Sequence, residues 1–451
     1  MMSWAQEPSF RNANFGVDAG DLVHNLCSTI IWHFKNRDCY ISFSGAARAV
    51  CVRTLSRGNA KMANSKMRKG ALPLVLAAGG LIAAACGSSG SGSSTATTSA
   101  PSGVKVGFFG ALTGPNAQLG INIDDGAKLA VQQYNANASI KVSLVNLDSQ
   151  GDPSQAPQLA QKAISDKLVA LVGPAFSGES LVADPILEQG QIVSVTPSAT
   201  NPALATKGWK FWHRIVGNDN AQGPAGAEFI VKKLGDKKVA VIDDQSAYGQ
   251  GIANIVRQTI PTLGGQVVTS QSVDPNSPDY SSTVNAIQSS GATAVYYGGY
   301  YDAAGRLLKQ LRDAGFRGAF ISDDGSLDPK LISTAGTAES VNTYATCACG
   351  DVSGSPAGAA FVKSYQTAFN AAPGTYSAEG YDAANVILAA IRAGNTNSVA
   401  INNYINTHSY AGITKTITFT STGDIKGGGI YVYQTDGTTF KSLGLVSKLV
   451  G

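Results

Sequence analysis

The residues with the clearest chemical potential sit just after short apolar runs. After LVALVG comes PAFSGES, in which Ser177, Gly178 and Ser180 open a helical pattern, and after IVSVT comes PSATNPAL, with Ser198 and Thr200. A helix N-terminus offers unpaired N–H groups and a partial positive charge, and hydroxyls add further donors. Two such ends directed at one point would bind a carboxylate without an arginine. Ordinary helix capping accounts for the same hydroxyls, so these residues alone leave the assignment open. In the second half, Tyr248 in DDQSAYGQG and Tyr300 in VYYGGYYDAAG supply apolar walls with polar tips, whereas Tyr296 reads as a core residue. Asp323 and Asp324 follow AFIS and form either a counter-charge for an ammonium or a solvated loop pair.

Nothing in the pattern points to an enzyme. Beyond Cys86 the histidines are His213 and His408, in no metal-type spacing and with no evident serine partner. Neither G-x-S-x-G nor a P-loop occurs in the folded region. No metal and no cofactor is expected.

These groups need a scaffold that gathers strand ends. From Val104 the sequence alternates β-type runs with helical stripes: VKVGFF, a helix with Ala127, Ala130, Val131 and Tyr134 on one face, KVSLVNL, a helix opened at Asp152 with Leu159, Ala160, Ala163 and Ile164 as its stripe, and LVALVG. The same alternation returns with KVAVID, a helix from about Gly251 to Leu263, QVVTSQSV, a helix across Val284 and Ile287, and TAVYYGG. A helix with the stripe Leu307, Leu308, Leu311 and Ala314 ends at Gly315, before GAFISDD. Strands spaced by such helices imply parallel βαβ units, hence an α/β protein of two Rossmann-like lobes with ligands bound beyond the strand carboxyl ends. A length of 451 residues with 43% hydrophobic and 14% charged content suits two globular domains.

The net charge of +4 is concentrated at the start, where residues 1–85 hold ten Lys/Arg against four Asp/Glu and leave the rest at −2, which argues against a nucleic-acid partner. The stretch MRKGALPLVLAAGGLIAAAC, residues 67–86, has a basic n-region, an apolar stretch and small residues before a cysteine. This is an export signal. It resembles a bacterial lipoprotein signal in which Cys86 becomes the lipidated first residue, although Ala83 stands where Leu is commoner; a plain secretory signal is the alternative. On that reading residues 1–61 are a non-native N-terminal extension, 62–85 the signal peptide and 86–102 a flexible Ser/Gly/Thr tether. The folded body would sit on the extracytoplasmic face of the membrane, held by its lipid.

Four stretches, GALTGPNAQLG at 110, VTPSATNPAL at 195, VYYGGYYDAAGRLLKQLRDAG at 295 and ITFTSTGDIKGGGIYVYQ at 417, resemble the branched-chain amino acid binding proteins of ABC importers. The resemblance implies the type I periplasmic-binding-protein fold. Its lobes would be 103–217 plus 348–428 and 218–347 plus 429–451, joined by a three-segment hinge near Gly217, Cys347 and Gly428. It implies a monomer that captures a small amino acid, branched-chain or otherwise apolar, in the interlobe cleft and delivers it to an importer permease. Carried over, Ser177 and Thr200 bind the carboxylate beside the Ser198 backbone, and Tyr248 and Tyr300 face them from the other lobe. Asp324, with Gly325 next to it, takes the place of an acidic residue that binds the ammonium, and Tyr376 borders the side-chain pocket.

Three departures accompany the resemblance. Leu119 stands where an aromatic often borders the ligand, Asp324 is shorter than the usual Glu, and Gly151 and Phe176 replace a cysteine pair that some relatives bridge. Cys347 and Cys349, at i and i+2, are close to the limit of disulfide reach, and both a bridge and two free thiols remain open. A sensor of amides or urea with the same fold is the alternative function. An uncharged ligand, on this argument, would leave Asp324 unpaired in a closed cleft.

Overall fold

The computed structural model describes residues 103–451; the expected signal, the lipidation at Cys86 and the tether lie outside the described residues. The first sheet is built from β1 (Val104–Gly110), α1 (Ala117–Asn137), β2 (Val142–Asp148), α2 (Ala156–Ser165), β3 (Ala170–Val172), α3 (Ser177–Gln189), β4 (Val193–Thr196) and β5 (Trp212–Arg214). Its strands are all parallel, in the order β2-β1-β3-β4-β5. After α4 (Asp219–Glu228), a second sheet forms from β6 (Lys238–Asp243), α5 (Ala247–Thr262), β7 (Gln266–Ser272), α6 (Ser281–Ser289), β8 (Ala294–Gly298), α7 (Tyr301–Asp313), β9 (Ala319–Ser322), α8 (Pro329–Ala335) and β10 (Thr343–Cys347). The chain then returns to the first body through α9 (Pro356–Phe369), α10 (Ser377–Arg392), α11 (Ser398–Thr407) and the small hairpin of β11 (Tyr410–Ala411) and β12 (Thr416–Ile417). It ends in the second sheet with β13 (Tyr431–Thr435) and β14 (Phe440–Leu445).

The second sheet runs β14-β13-β10-β9-β8-β6-β7, and only its β10-β13-β14 edge is antiparallel. Within that edge, which departs from the all-parallel expectation, β13 and β14 are antiparallel because no crossover helix separates them, and a short turn can only join antiparallel neighbours. Parallel strands covered on both faces read as nearly continuous apolar runs. Phe108 and Phe109, adjacent in β1, accordingly bury on opposite faces, Phe109 joining Leu147, Leu171 and Leu187. Among the described residues no helix is long and apolar enough to cross a membrane.

Three expectations need correction at the level of elements. The segment after β4 is a short 3₁₀ turn, Pro202–Thr206, capped by Asn201, so only one α-helix N-terminus, that of α3, stands beside the hydroxyls. Pro202 at the first position and a run of only five residues leave no second macrodipole to speak of. Helix α5 starts at Ala247 rather than Gly251, because Ser246 accepts from the Gly249 N–H as its N-cap, and this puts Tyr248 in the first turn. Helix α2 starts at Ala156, after a turn in which Asp152 accepts from the Ser154 N–H at 2.8 Å.

Helix α1 is held at close range by two glycines. A Cβ at Gly120 would lie 1.8 Å from the Ala111 carbonyl oxygen, and one at Gly126 would lie 2.1 Å from the Ser377 carbonyl oxygen. Ser377 opens α10, one residue after Tyr376, whose φ of +68° is the left-handed conformation. The α1–α10 approach therefore fixes where Tyr376 leaves the backbone. We expect Gly126→Ala to lower the thermal midpoint by several degrees, corresponding to about 1–3 kcal/mol of overpacking. Differential scanning fluorimetry of the variant measures this directly.

Candidate functional site

The carboxyl ends of β3 and β4 in one sheet and of β6, β8 and β9 in the other meet at a small cavity. Eight of the predicted residues line it: Leu119, Ser177, Ser198, Tyr248, Tyr300, Asp324, Gly325 and Tyr376. Thr200 does not. Its side chain is fully buried beside the Asp219 carboxyl and outside hydrogen-bond geometry with it, and its carbonyl accepts from the Asp219 N–H at 3.1 Å. The 3₁₀ turn carries Thr200 toward α4 rather than into the cavity.

Ser177 is the first residue of α3 and is 1% exposed. Its Oγ accepts from the Asn201 N–H at 3.3 Å, which leaves its own hydrogen free for a ligand oxygen. Ser198 is committed differently: its hydroxyl donates to the Ala175 carbonyl at 2.7 Å and so fixes the loop before α3. Beneath that loop Glu179, at the third position of α3, accepts from the Phe176 N–H at 3.2 Å and from the Ser149 hydroxyl. Arg214 braces the neighbouring segment, donating to the Ala199 and Asn201 carbonyls, each at 2.9 Å, and pairing with Asp424 at 2.5 Å. Asp424 also accepts from Asn218 at 3.2 Å. One buried guanidinium thus ties the hydroxyl-bearing loop to two of the segments that run between the sheets.

Asp324 faces Ser177 from the other side and is 3% exposed. One oxygen accepts from Gln222 Nε2 at 2.6 Å and from the Tyr248 hydroxyl at 2.8 Å; the other accepts from the Tyr376 hydroxyl at 2.8 Å. Three protein donors satisfy the carboxylate, which corrects the expectation that an uncharged ligand would strand it. Asp323 turns away, accepting from the Gly299 N–H at 3.3 Å, with its second oxygen unpartnered. The aromatic wall is a connected group: the Tyr300 ring lies 5.1 Å from Phe176 and 5.3 Å from Tyr248. Tyr296 is fully buried under the sheet, in the core role expected of it.

Sequence reasoning missed Ile123, Phe176, Gln222, Arg214 and Asp219. Ile123 was within reach, since it follows Leu119 by one helical turn and lines the same cavity. At the second crossing between sheets Cys347 and Cys349 are joined in a disulfide with Cα atoms 5.0 Å apart, so of the two states left open by the spacing the bridge is the one present. Among the described residues no group of three or more His, Cys, Asp or Glu side chains is placed to hold a metal.

Several buried acids have no ion-pair partner among the described residues. Burial pushes Asp219 up to about 8, with the Asp324 charge adding to the shift, and neither Asp219 oxygen has a hydrogen-bond partner. Burial likewise raises Glu179 to about 8, Asp184 to about 7 and Asp244 to about 6. Each holds its proton more tightly when folded than when unfolded. Their stabilising contribution is therefore complete below about pH 4 and is lost as the pH rises through the folded values of about 6 to 8. The thermal midpoint should fall as the pH rises across that window, and Asp219→Asn should flatten the decline and raise the midpoint at its alkaline end, as followed by circular dichroism.

Two parallel-dominated α/β sheets, joined by three crossings with a cavity between them at their strand ends, make a two-lobed binding protein of the type I periplasmic class. The sequence comparison agrees with the architecture: residues 103–439 match the periplasmic binding protein family, and the chain belongs to it. It is thereby an extracytoplasmic binding protein and not an enzyme. It is 31% identical over 345 residues to an amino acid binding protein of Pseudomonas aeruginosa, covering 75% of this chain and 92% of that one. It is 29% identical over 335 residues to the leucine-, isoleucine-, valine-, threonine- and alanine-binding protein of the same organism, covering 73% and 89%. A branched-chain amino acid transporter substrate-binding protein of Streptococcus pneumoniae, solved with isoleucine, superposes with a TM-score of 0.71 at 24% identity, covering 76% of this chain and 99% of that one.

Proposed function

We propose that the protein captures an apolar α-amino acid, of the leucine, isoleucine or valine type, and delivers it to an ABC importer. The observation that carries this reading is that the α3 N-terminus with Ser177 and the Asp324 carboxylate lie on opposite walls of one small cavity. An acid end meets N–H groups, a hydroxyl and a helix dipole; an amine end meets a carboxylate. Leu119 and Ile123, one turn apart on α1, with Phe176 and Tyr300, offer the apolar surface a side chain needs. Relatives named for binding leucine, isoleucine and valine support the same choice.

The lobes assigned are 103–217 plus 348–428 and 218–347 plus 429–451. On closure, Tyr248, Tyr300 and Asp324 come onto a ligand already seated against α3, and the crossings absorb the motion. The ammonium takes its place at Asp324 by sharing the carboxylate with Gln222 and the two tyrosine hydroxyls. Thr200 acts one step back, through its contact with Asp219. The protein works as a monomer, anchored through a lipid on Cys86 at the outer face of the membrane.

Loss of the Ser177 hydroxyl removes one charge-assisted hydrogen bond, of roughly 1.5–3 kcal/mol, so Ser177→Ala should weaken leucine binding by about 10- to 100-fold. Isothermal titration calorimetry reads the change, and unaltered affinity would remove Ser177 from the site. Because Asp324 is already satisfied, the ligand's charge must be tested by itself. In a thermal-shift panel leucine, isoleucine and valine should raise the midpoint while acetamide and urea leave it unmoved; the reverse pattern would move the protein to the amide-sensing class.

A further inference from the structure

Tyr376 also lines a second, larger and more open pocket that shares no other residue with the cleft. Its walls come from both bodies: Leu327 and Phe440 from the one, and Val352, Phe361 and Val362 from around α9. Much of this surface is apolar, and Phe361 and Val362 belong to a hydrophobic cluster separate from the main core. The pocket's buried acid is Glu379, in the first turn of α10.

Glu379 is 2% exposed, and its Oε1 has no hydrogen-bond partner. Its place in the first turn gives it some help from the helix dipole. The nearest influential cation, Lys415, directs its ammonium to the Ile215 carbonyl at 3.3 Å rather than to Glu379. A buried carboxylate normally finds several donors, as Asp324 does, and one left short of them on a cavity wall is a receptor for a donor from outside. Asp351 adds a second negative charge to the same wall, and Lys441, the one cation on it, is occupied by Asp436 at 2.7 Å. The electrostatic balance therefore favours a cation.

We propose that this cavity is a second ligand site, which takes a small amphipathic amine whose ammonium meets Glu379 and whose apolar body lies on Phe361, Val362 and Phe440. Its position between the two bodies, with Tyr376 as common wall, makes its occupancy sensitive to the lobe arrangement.

The test uses 2-phenylethylammonium and its uncharged counterpart 2-phenylethanol as probes of the full chain, titrated by calorimetry with ligand-observed NMR as a second readout. The amine should bind saturably at one site, at least tenfold more tightly than the alcohol. Glu379→Gln should reduce its affinity at least tenfold, Val362→Trp should abolish binding by covering the apolar surface on which the ligand body would lie, and Ser177→Ala should leave it unchanged. Thermal unfolding of each variant establishes that it is folded, and Val362→Trp keeps the test decisive should Glu379→Gln be unstable. Absence of saturable amine binding, equal affinity for amine and alcohol, or wild-type binding in Glu379→Gln or in Val362→Trp would overturn the proposal. Loss of binding in Ser177→Ala would do the same by placing the amine in the cleft.

Discussion

The carboxylate of Asp324 sets the terms for the rest of the site. Removing a charge from water costs several kcal/mol unless donors replace the lost solvent. Here they come from three separate elements: Gln222 in α4, Tyr248 in α5 and Tyr376 at the head of α10. Two of these belong with the second sheet or the segment leading into it, and the third belongs to a helix packed on the first. A single anion thus draws both bodies to one point. The left-handed backbone at Tyr376 and the close α1–α10 contact at Gly126 are the local conditions under which its hydroxyl arrives there.

The opposite wall is organised by a cation instead. Arg214 gives its donors to the Ala199 and Asn201 carbonyls and to Asp424, so the loop carrying Ser198 is fastened to the crossing segments rather than merely resting against α3. Glu179 performs a related task beneath α3, accepting the Phe176 N–H while the Ser149 hydroxyl steadies it. Neither side chain lines the cavity. Both limit how far the lining residues can drift, and a positioned donor set binds more tightly than a mobile one because less ordering remains to be done on binding.

The alternation of β-type runs with helical stripes made the α/β class and most strand positions legible from sequence. So were Ser177, Tyr248, Tyr300 and Asp324, because residues just past parallel strands converge wherever such sheets face each other. What escaped was non-local or set by short-range competition. Pro202 and the Asn201 cap turned an expected helix into a 3₁₀ turn and carried Thr200 out of the cavity. Gln222 lies mid-helix and meets Asp324 across 102 residues of sequence, and Arg214 meets Asp424 across 210. No local pattern encodes either pairing. The antiparallel β13 and β14 edge escaped because it pairs back onto β10, a contact over more than 80 residues of sequence that no local pattern encodes.

The hydroxyl of Tyr376, at the head of α10, donates to Asp324, just past β9, at 2.8 Å. A bond of this kind, made by the chain itself, favours the arrangement that brings the two bodies together, and a solute then has less of the closing energy to supply. Affinity gains from such a head start, since the fraction already competent divides directly into the apparent dissociation constant.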